Sequence, residues 1–225
     1  MFQWVNWGDI VLGELVVLTK VPERGYVKTR LQKRLSAYVV EQLYTGFLKD
    51  TLDRFSDYDP YVAYYPETKL QMLWTILGDR RYVVQRGKDL WERLLTIFDD
   101  FYRAGIDDVC AINCDVPLLK KETVDEAFKL MSEKDLVLGP AYDGGFYLIG
   151  GKGLCWELFD GVKWKNPNAL DGIKANADRL GLKVAVLESY RDVDTPEDLK
   201  TVWESGELEK KSKTYEIVKK VQRQL

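Results

Sequence analysis

Residues 139–150, GPAYDGGFYLIG, read as strand, bend and strand. A Leu136-Val137-Leu138 run leads in, Gly139-Pro140 breaks it, Asp143-Gly144-Gly145 turns it, and Phe146 to Ile149 resumes the sheet. Two adjacent glycines, Gly144 and Gly145, let backbone N–H groups approach a ligand where a Cβ would clash. Asp143 beside them offers a carboxylate to a hydroxyl, a base edge or a metal. Asp-Gly is also a common hairpin dipeptide, so a purely architectural turn stays open. A second segment, Ala111-Ile112-Asn113-Cys114-Asp115-Val116-Pro117, bears on the choice. There an apolar strand ends in an aspartate, with proline two residues on. A carboxylate at the carboxyl end of a strand is where open α/β sheets bind their ligands.

Working outward, strand-like and helical patterns alternate along the chain. Short apolar runs fall at 14–19, 60–65, 82–84, 109–114, 136–138 and 183–187. Helical stretches fall between them: 36–55 behind a Ser36 cap, 67–77, Asp89 to 103 with Gly105 at its end, 121–132, and Asn166-Pro167 to 180. Thr195-Pro196-Glu197-Asp198 resembles a capping box with proline at the first helical position and opens a helix to about 206. The charged tail 207–225 reads as a solvated helix. Such alternation predicts a mostly parallel sheet with right-handed crossovers. No repeat, low-complexity tract or linker divides the 225 residues, so a single domain spanning 1–225 is expected. Phe2, Trp4 and Trp7 mark residues 1–13 as a covering arm or an interface patch, open to a homo-oligomeric contact.

Composition narrows the chemistry. A net charge of −3 argues against a general nucleic-acid binder. No apolar run reaches the length of a membrane span, and the chain lacks a signal-like start. Cys110, Cys114 and Cys155 are an odd set without metal-ligand spacing and read as free thiols of a reduced cytoplasm. The chain contains no histidine, which removes Ser-His-Asp, Cys-His and HExxH chemistry. A general base must then come from a carboxylate or a less usual group. A metal site must be built from oxygens, which favours Mg²⁺ or Mn²⁺ over zinc.

The dinucleotide-binding and P-loop fingerprints both fail. GxGxxG at Gly151 and Gly153 meets Trp156, and GxxxxGK[ST] at Gly87-Lys88 meets Tyr82 and Asp89. The first loop instead carries Lys20, Arg24, Lys28 and Arg30. Cations at the carboxyl end of the first strand suit a polyphosphate. An exposed basic loop is the plainer alternative.

Five segments occur in an order known from one superfamily: K-x-P-x-x-G-x-V-K-T-R-L (20–31), Q-x-G-x-x-L-x-E-R-L (85–94), C-D-V-P (114–117), G-P-A-x-D-G-G-F-Y-L-I-G (139–150) and D-V-D-T-P-E-D-L (192–199). Over roughly 14–204 the chain resembles the nucleotide-diphospho-sugar transferases. It is similar to small prokaryotic GT-A-like proteins known as arsenosugar-type glycosyltransferases, and more distantly to phospholactate and molybdenum-cofactor guanylyltransferases. The resemblance implies a Rossmann-like three-layer α/β sandwich. It places a nucleotide over the strand edge, with its phosphates near Lys20, Lys28 and Arg30, and Gln85 and Gly87 close to nucleotide or acceptor. It puts Mg²⁺ or Mn²⁺ on Asp115, with Asp194 as a second ligand by analogy, and leaves Asp115 and Asp143 as candidate catalytic residues. Asp192 and Asp194 can instead be turn acids preceding the Thr195 cap, and Gln85 and Gly87 a loop before the next helix. Arg24, Trp91, Asn113 and Leu118 depart from the family pattern; Trp91 and Leu118 are expected to crowd the acceptor side.

Two reactions suit such a site. One is glycosyl transfer from a nucleotide-sugar, preferred on family naming. The other is nucleotidyl transfer from a nucleoside triphosphate to a small phosphorylated acceptor. A non-catalytic nucleotide-binding protein is the reading from another class.

Overall fold

A computed structural model of the protein describes residues 13–152, 154–163 and 168–225. Among them seven strands form one sheet: β1 (Glu14–Lys20), β2 (Tyr61–Tyr65), β3 (Tyr82–Val84), β4 (Val109–Asn113), β5 (Leu136–Pro140), β6 (Phe146–Gly151) and β7 (Val184–Val186). Their order is β3-β2-β1-β4-β6-β5-β7. Every pairing is parallel except those of β6, which runs antiparallel to both β4 and β5. The exception follows from chain length. Residues 141–145 are too few for a crossover, so the chain can only fold straight back.

Central strand β1 shows why the sheet is sandwiched. Leu15 and Val17 point into one apolar cluster, Val16 and Leu18 into the other. The first cluster is completed by α1 (Ala37–Arg54), α4 (Lys121–Met131), α6 (Pro196–Glu204) and α7 (Lys213–Val221), with Leu73 from α2 (Leu70–Leu77). The second is completed by α3 (Leu90–Arg103) and α5 (Ala169–Arg179). Burial on both faces explains strands that are continuously apolar rather than alternating.

The helix starts read from the sequence carry their caps. Ser36 accepts from Val39 N, Asp89 from Glu92 N, and Thr195 from Asp198 N in a reciprocal box with Pro196 behind it. Two details differ from expectation, and two further readings go untested. Residues 67–69 form a 3₁₀ turn before α2. The Asn166-Pro167 opening of α5, like the aromatic arm before Gly13, lies outside the described residues. The tail is not merely solvated: α7 begins only at Lys213 and buries Thr214, Val218 and Val221. Gly46 of α1 permits that docking, because a Cβ there would already lie 3.3 Å from Ile217 Cδ1 and 3.4 Å from Thr214 N.

Register delivers the site. Leu18 pairs with Asn113, while Ile112 and Gly139 both pair with Leu148. Thr19, Cys114 and Ala141 therefore end at one rim of the sheet.

Candidate active site

At that rim the basic loop leaves β1. It is anchored by buried Val21 and Val27, and by Leu31 within a 3₁₀ turn over Thr29–Lys33. Lys28, which caps this turn, sits in the left-handed region at φ 42° and ψ 47°. A non-glycine residue there costs of order 1–3 kcal/mol and persists only where its surroundings hold it. Here the cation is turned inward, its side chain 10% exposed. Its ammonium donates to Asp115 Oδ2 and to Asp194 Oδ1, and Arg30 Nη2 donates to Asp194 Oδ2. Three segments far apart in sequence thus meet through side chains the sequence had singled out.

The acidic half is assembled by the segment after β7. Tyr190 bridges to Ala141 in parallel fashion, and Val193 N donates to Asp115 O at 2.9 Å. Residues 190–194 are thereby laid along this rim from Ala141 to Asp115, and alternate residues of an extended segment share a side. Asp143, Asp192 and Asp194 each present a carboxylate oxygen within 4.8 Å of the others. Asp115 is not in this group of three but is joined to it by Lys28. Its second oxygen, Oδ1, is buried with no hydrogen-bond partner. Burial, with the Asp115 and Asp143 carboxylates beside it and Lys28 opposing them, pushes the Asp192 carboxyl up to about 6.

The cap and site readings of 192–198 coexist. Asp198 Oδ2 accepts from Thr195 N (2.9 Å), Thr195 Oγ1 (2.7 Å) and Asp194 N (3.3 Å), and Arg191 pairs with its other oxygen at 3.0 Å. The Asp194 carboxylate takes no part in the cap and is left to Lys28 and Arg30. From the sequence Asp192 is expected only as a turn acid; the D-x-D spacing was the signal for its place beside Asp194 in the acidic group.

The Asp-Gly-Gly turn is both a hairpin and part of the rim. Ala141 N donates to Gly145 O, Gly144 N to Ala141 O, and Gly145 N to Asp143 Oδ1 at 2.9 Å. Gly144 takes φ 89°, and its carbonyl receives Leu170 N at the start of α5. Gln85 and Gly87 lie outside the acidic group. Gln85 is buried, its amide donating to Thr19 O (3.0 Å) and Ala63 O (2.7 Å), so it ties the ends of β1 and β2 together. Gly87 packs under α3, where a Cβ would meet Arg93 N at 2.7 Å. Lys20 ends β1 with its backbone N–H on the buried Tyr44 hydroxyl at 3.0 Å. That hydroxyl also meets Thr19 Oγ1 at 3.2 Å, and Cys114 Sγ lies 3.6 Å from the same oxygen. Burial and the neighbouring Asp115 push the Cys114 thiol up to about 11, so it stays protonated.

The departures from the family pattern become legible. Trp91 is 8% exposed, stacks on Phe146 and Phe159, and donates to Val162 O at 2.9 Å. It fastens core and does not project into the rim. Asn113 Nδ2 donates to Phe146 O at 2.9 Å, joining β4 to β6. Leu118 packs against the first apolar cluster. Arg24 pairs with Glu41 at 3.0 Å and lies over the Tyr38 ring.

This sheet order, with cations and carboxylates at one strand edge, is the architecture of the nucleotide-diphospho-sugar transferase superfamily. Within it, the chain belongs to the family described as "Uncharacterized protein conserved in bacteria (DUF2064)", which matches residues 48–166. The chain is similar to the 2-phospho-L-lactate guanylyltransferase of Methanocaldococcus vulcanius, with 26% identity over 208 residues covering 91% of this chain and 90% of that one. A solved structure of a proposed nucleotide-diphospho-sugar transferase from Desulfovibrio desulfuricans G20 superposes with a TM-score of 0.89. It is 28% identical, over 95% of this chain and 96% of that one. The inositol-1-phosphate CTP transferase of T. maritima shares the fold at a TM-score of 0.56, with 14% identity over 94% and 97% of the two chains.

Proposed function

We propose that the protein is a nucleotidyltransferase joining a nucleoside monophosphate, taken from a nucleoside triphosphate, to the phosphate of a small acidic acceptor. The observation that carries this is the convergence of Lys28 and Arg30 with Asp115 and Asp194 beside the Asp143–Asp192–Asp194 group. Polyphosphate ligands ask for cations, and their transfer asks for carboxylates that hold a divalent ion. Guanylyltransferases that match nearly the full chain favour this over glycosyl transfer, the other reaction open to the site.

Lys20, Lys28 and Arg30 bind the triphosphate and offset charge building on the leaving pyrophosphate. Asp143, Asp192 and Asp194, with the unpartnered Oδ1 of Asp115, fit a hard divalent cation such as Mg²⁺ or Mn²⁺, since every donor is oxygen. Such an ion supplies Lewis-acid stabilisation of phosphoryl oxygens. An acceptor phosphate oxygen forms the new bond to the α-phosphorus, and the bond from that phosphorus to the bridging oxygen of pyrophosphate breaks. A phosphate monoester, with a second pKa near 6, is already ionised at neutral pH, so no histidine base is needed. Three free thiols support a reducing, cytoplasmic setting.

The test is product analysis with each nucleoside triphosphate, Mg²⁺ or Mn²⁺, and a panel of phosphorylated hydroxy acids including 2-phospho-L-lactate. Pyrophosphate release that needs the acceptor and is lost in Asp115→Ala is expected. Nucleoside diphosphate release from a nucleotide-sugar would reassign the protein to glycosyl transfer, and no turnover of either donor would leave a binding protein.

A further inference from the structure

Lys28 has an unusual position for a phosphate-binding residue. It does not reach into the space above the rim. Its ammonium lies between Asp115 and Asp194, close enough to Asp192 to oppose that group's raised pKa. Asp194, whose two oxygens are held by Lys28 and Arg30, is also one of the three carboxylates grouped for a divalent ion. An ammonium and a divalent ion side by side on one carboxylate repel each other.

We infer that Lys28 is an internal counter-ion, which holds the metal carboxylates together without metal and must be displaced before an ion binds there. This rests on the metal-dependent nucleotidyltransferase reading above. Geometry confines the movement to the side chain. Val27 and Leu31 on either side are 1% and 0% exposed, so the loop backbone is pinned while a four-carbon stem swings. Leu31 N on Lys28 O at 2.9 Å keeps the left-handed cap in place.

A consequence for substrate binding follows. A displaced ammonium, one-tenth exposed at its start, needs a new anion. The incoming polyphosphate supplies one. Metal alone must therefore overcome the Lys28 ion pairs, whereas metal with polyphosphate lets Lys28 exchange carboxylates for phosphate. Metal and polyphosphate should bind as a pair, each raising the affinity for the other by the same factor. Lys28 is then a positioning residue for the metal and a ligand of the phosphates, at successive stages of binding.

The experiment measures Mn²⁺ affinity by electron paramagnetic resonance on the whole protein, with and without inorganic triphosphate. It compares wild type with Lys28→Met and with Lys28→Asn, the latter because asparagine tolerates the left-handed region. Thermal melts check that each variant folds. In wild type, triphosphate should tighten Mn²⁺ at the protein by about tenfold or more. Both variants should bind Mn²⁺ alone about tenfold tighter than wild type and lose most of the gain from triphosphate. Equal Mn²⁺ affinity in wild type and variants, with binding detected, would overturn the counter-ion role while sparing the metal site. No Mn²⁺ on any of the proteins, with or without triphosphate, would overturn the metal reading and this inference together.

Discussion

Gly144 and Gly145 stand side by side, yet the backbone asks different things of them. Gly144 is at φ 89°, where an L side chain is strained, and its carbonyl docks α5. Gly145 has no such dihedral, but a Cβ on it would lie 3.1 Å from Asp143 Oδ1. Gly144→Ala is therefore expected to lower the unfolding free energy by about 1–2 kcal/mol with little change in nucleotide affinity. Gly145→Ala should disturb Asp143 and weaken binding by more than its stability loss explains. Urea unfolding paired with nucleotide titration separates the two, and unchanged affinity in both variants would reduce the segment to architecture.

At the scale of elements, α7 shows how a charged tail becomes structural. Its charged residues face water while Val218, wholly buried, joins the first apolar cluster and Ile217 lies over Gly46 of α1. Asp50 near the end of α1 reinforces the contact by accepting from Lys213 N and Thr214 N at 2.8 Å each. Val218→Ala should cost about 1–3 kcal/mol, from lost transfer energy and a partly unfilled cavity. Val218 lies in the first apolar cluster and offers no polar group to the rim, so metal and nucleotide affinity should be unchanged in the folded variant. A chemical denaturation midpoint that does not move would mean the tail is a solvated helix after all.

For the molecule as a whole, gathering carboxylates at one rim opposes folding. Asp192 is pushed up to about 6 from an ordinary value near 3.8, so between those values the folded chain holds a proton that the unfolded chain has released. Stability from this group is complete below the unfolded value and is lost as pH rises through about 6. Asp192→Asn, which cannot titrate, should therefore gain about 1–3 kcal/mol relative to wild type between pH 4 and pH 7.5 in metal-free buffer. Unfolding free energies at the two pH values check this; a difference that does not grow with pH would show that Asp192 is not desolvated.

Much of this protein was written in local sequence. The strands, the Ser36, Asp89 and Thr195 caps, and the rim residues Asp115, Asp143, Lys28 and Arg30 could be read because periodicity, capping and strand-end carboxylates are short-range signals. Residues 192–198 could be read as a cap for the same reason; Asp194 was expected at the site only through the family resemblance, and Asp192 not at all. Bringing both to the site required residues 190–194 to be laid across from Asp143 to Asp115, a pairing between segments some 50 to 80 positions apart. Trp91 likewise looked like an obstruction until α3 and the Phe159 segment closed around it. Tertiary structure alone decided where each side chain would find its partner, because packing and ion pairing depend on distances that no local pattern encodes.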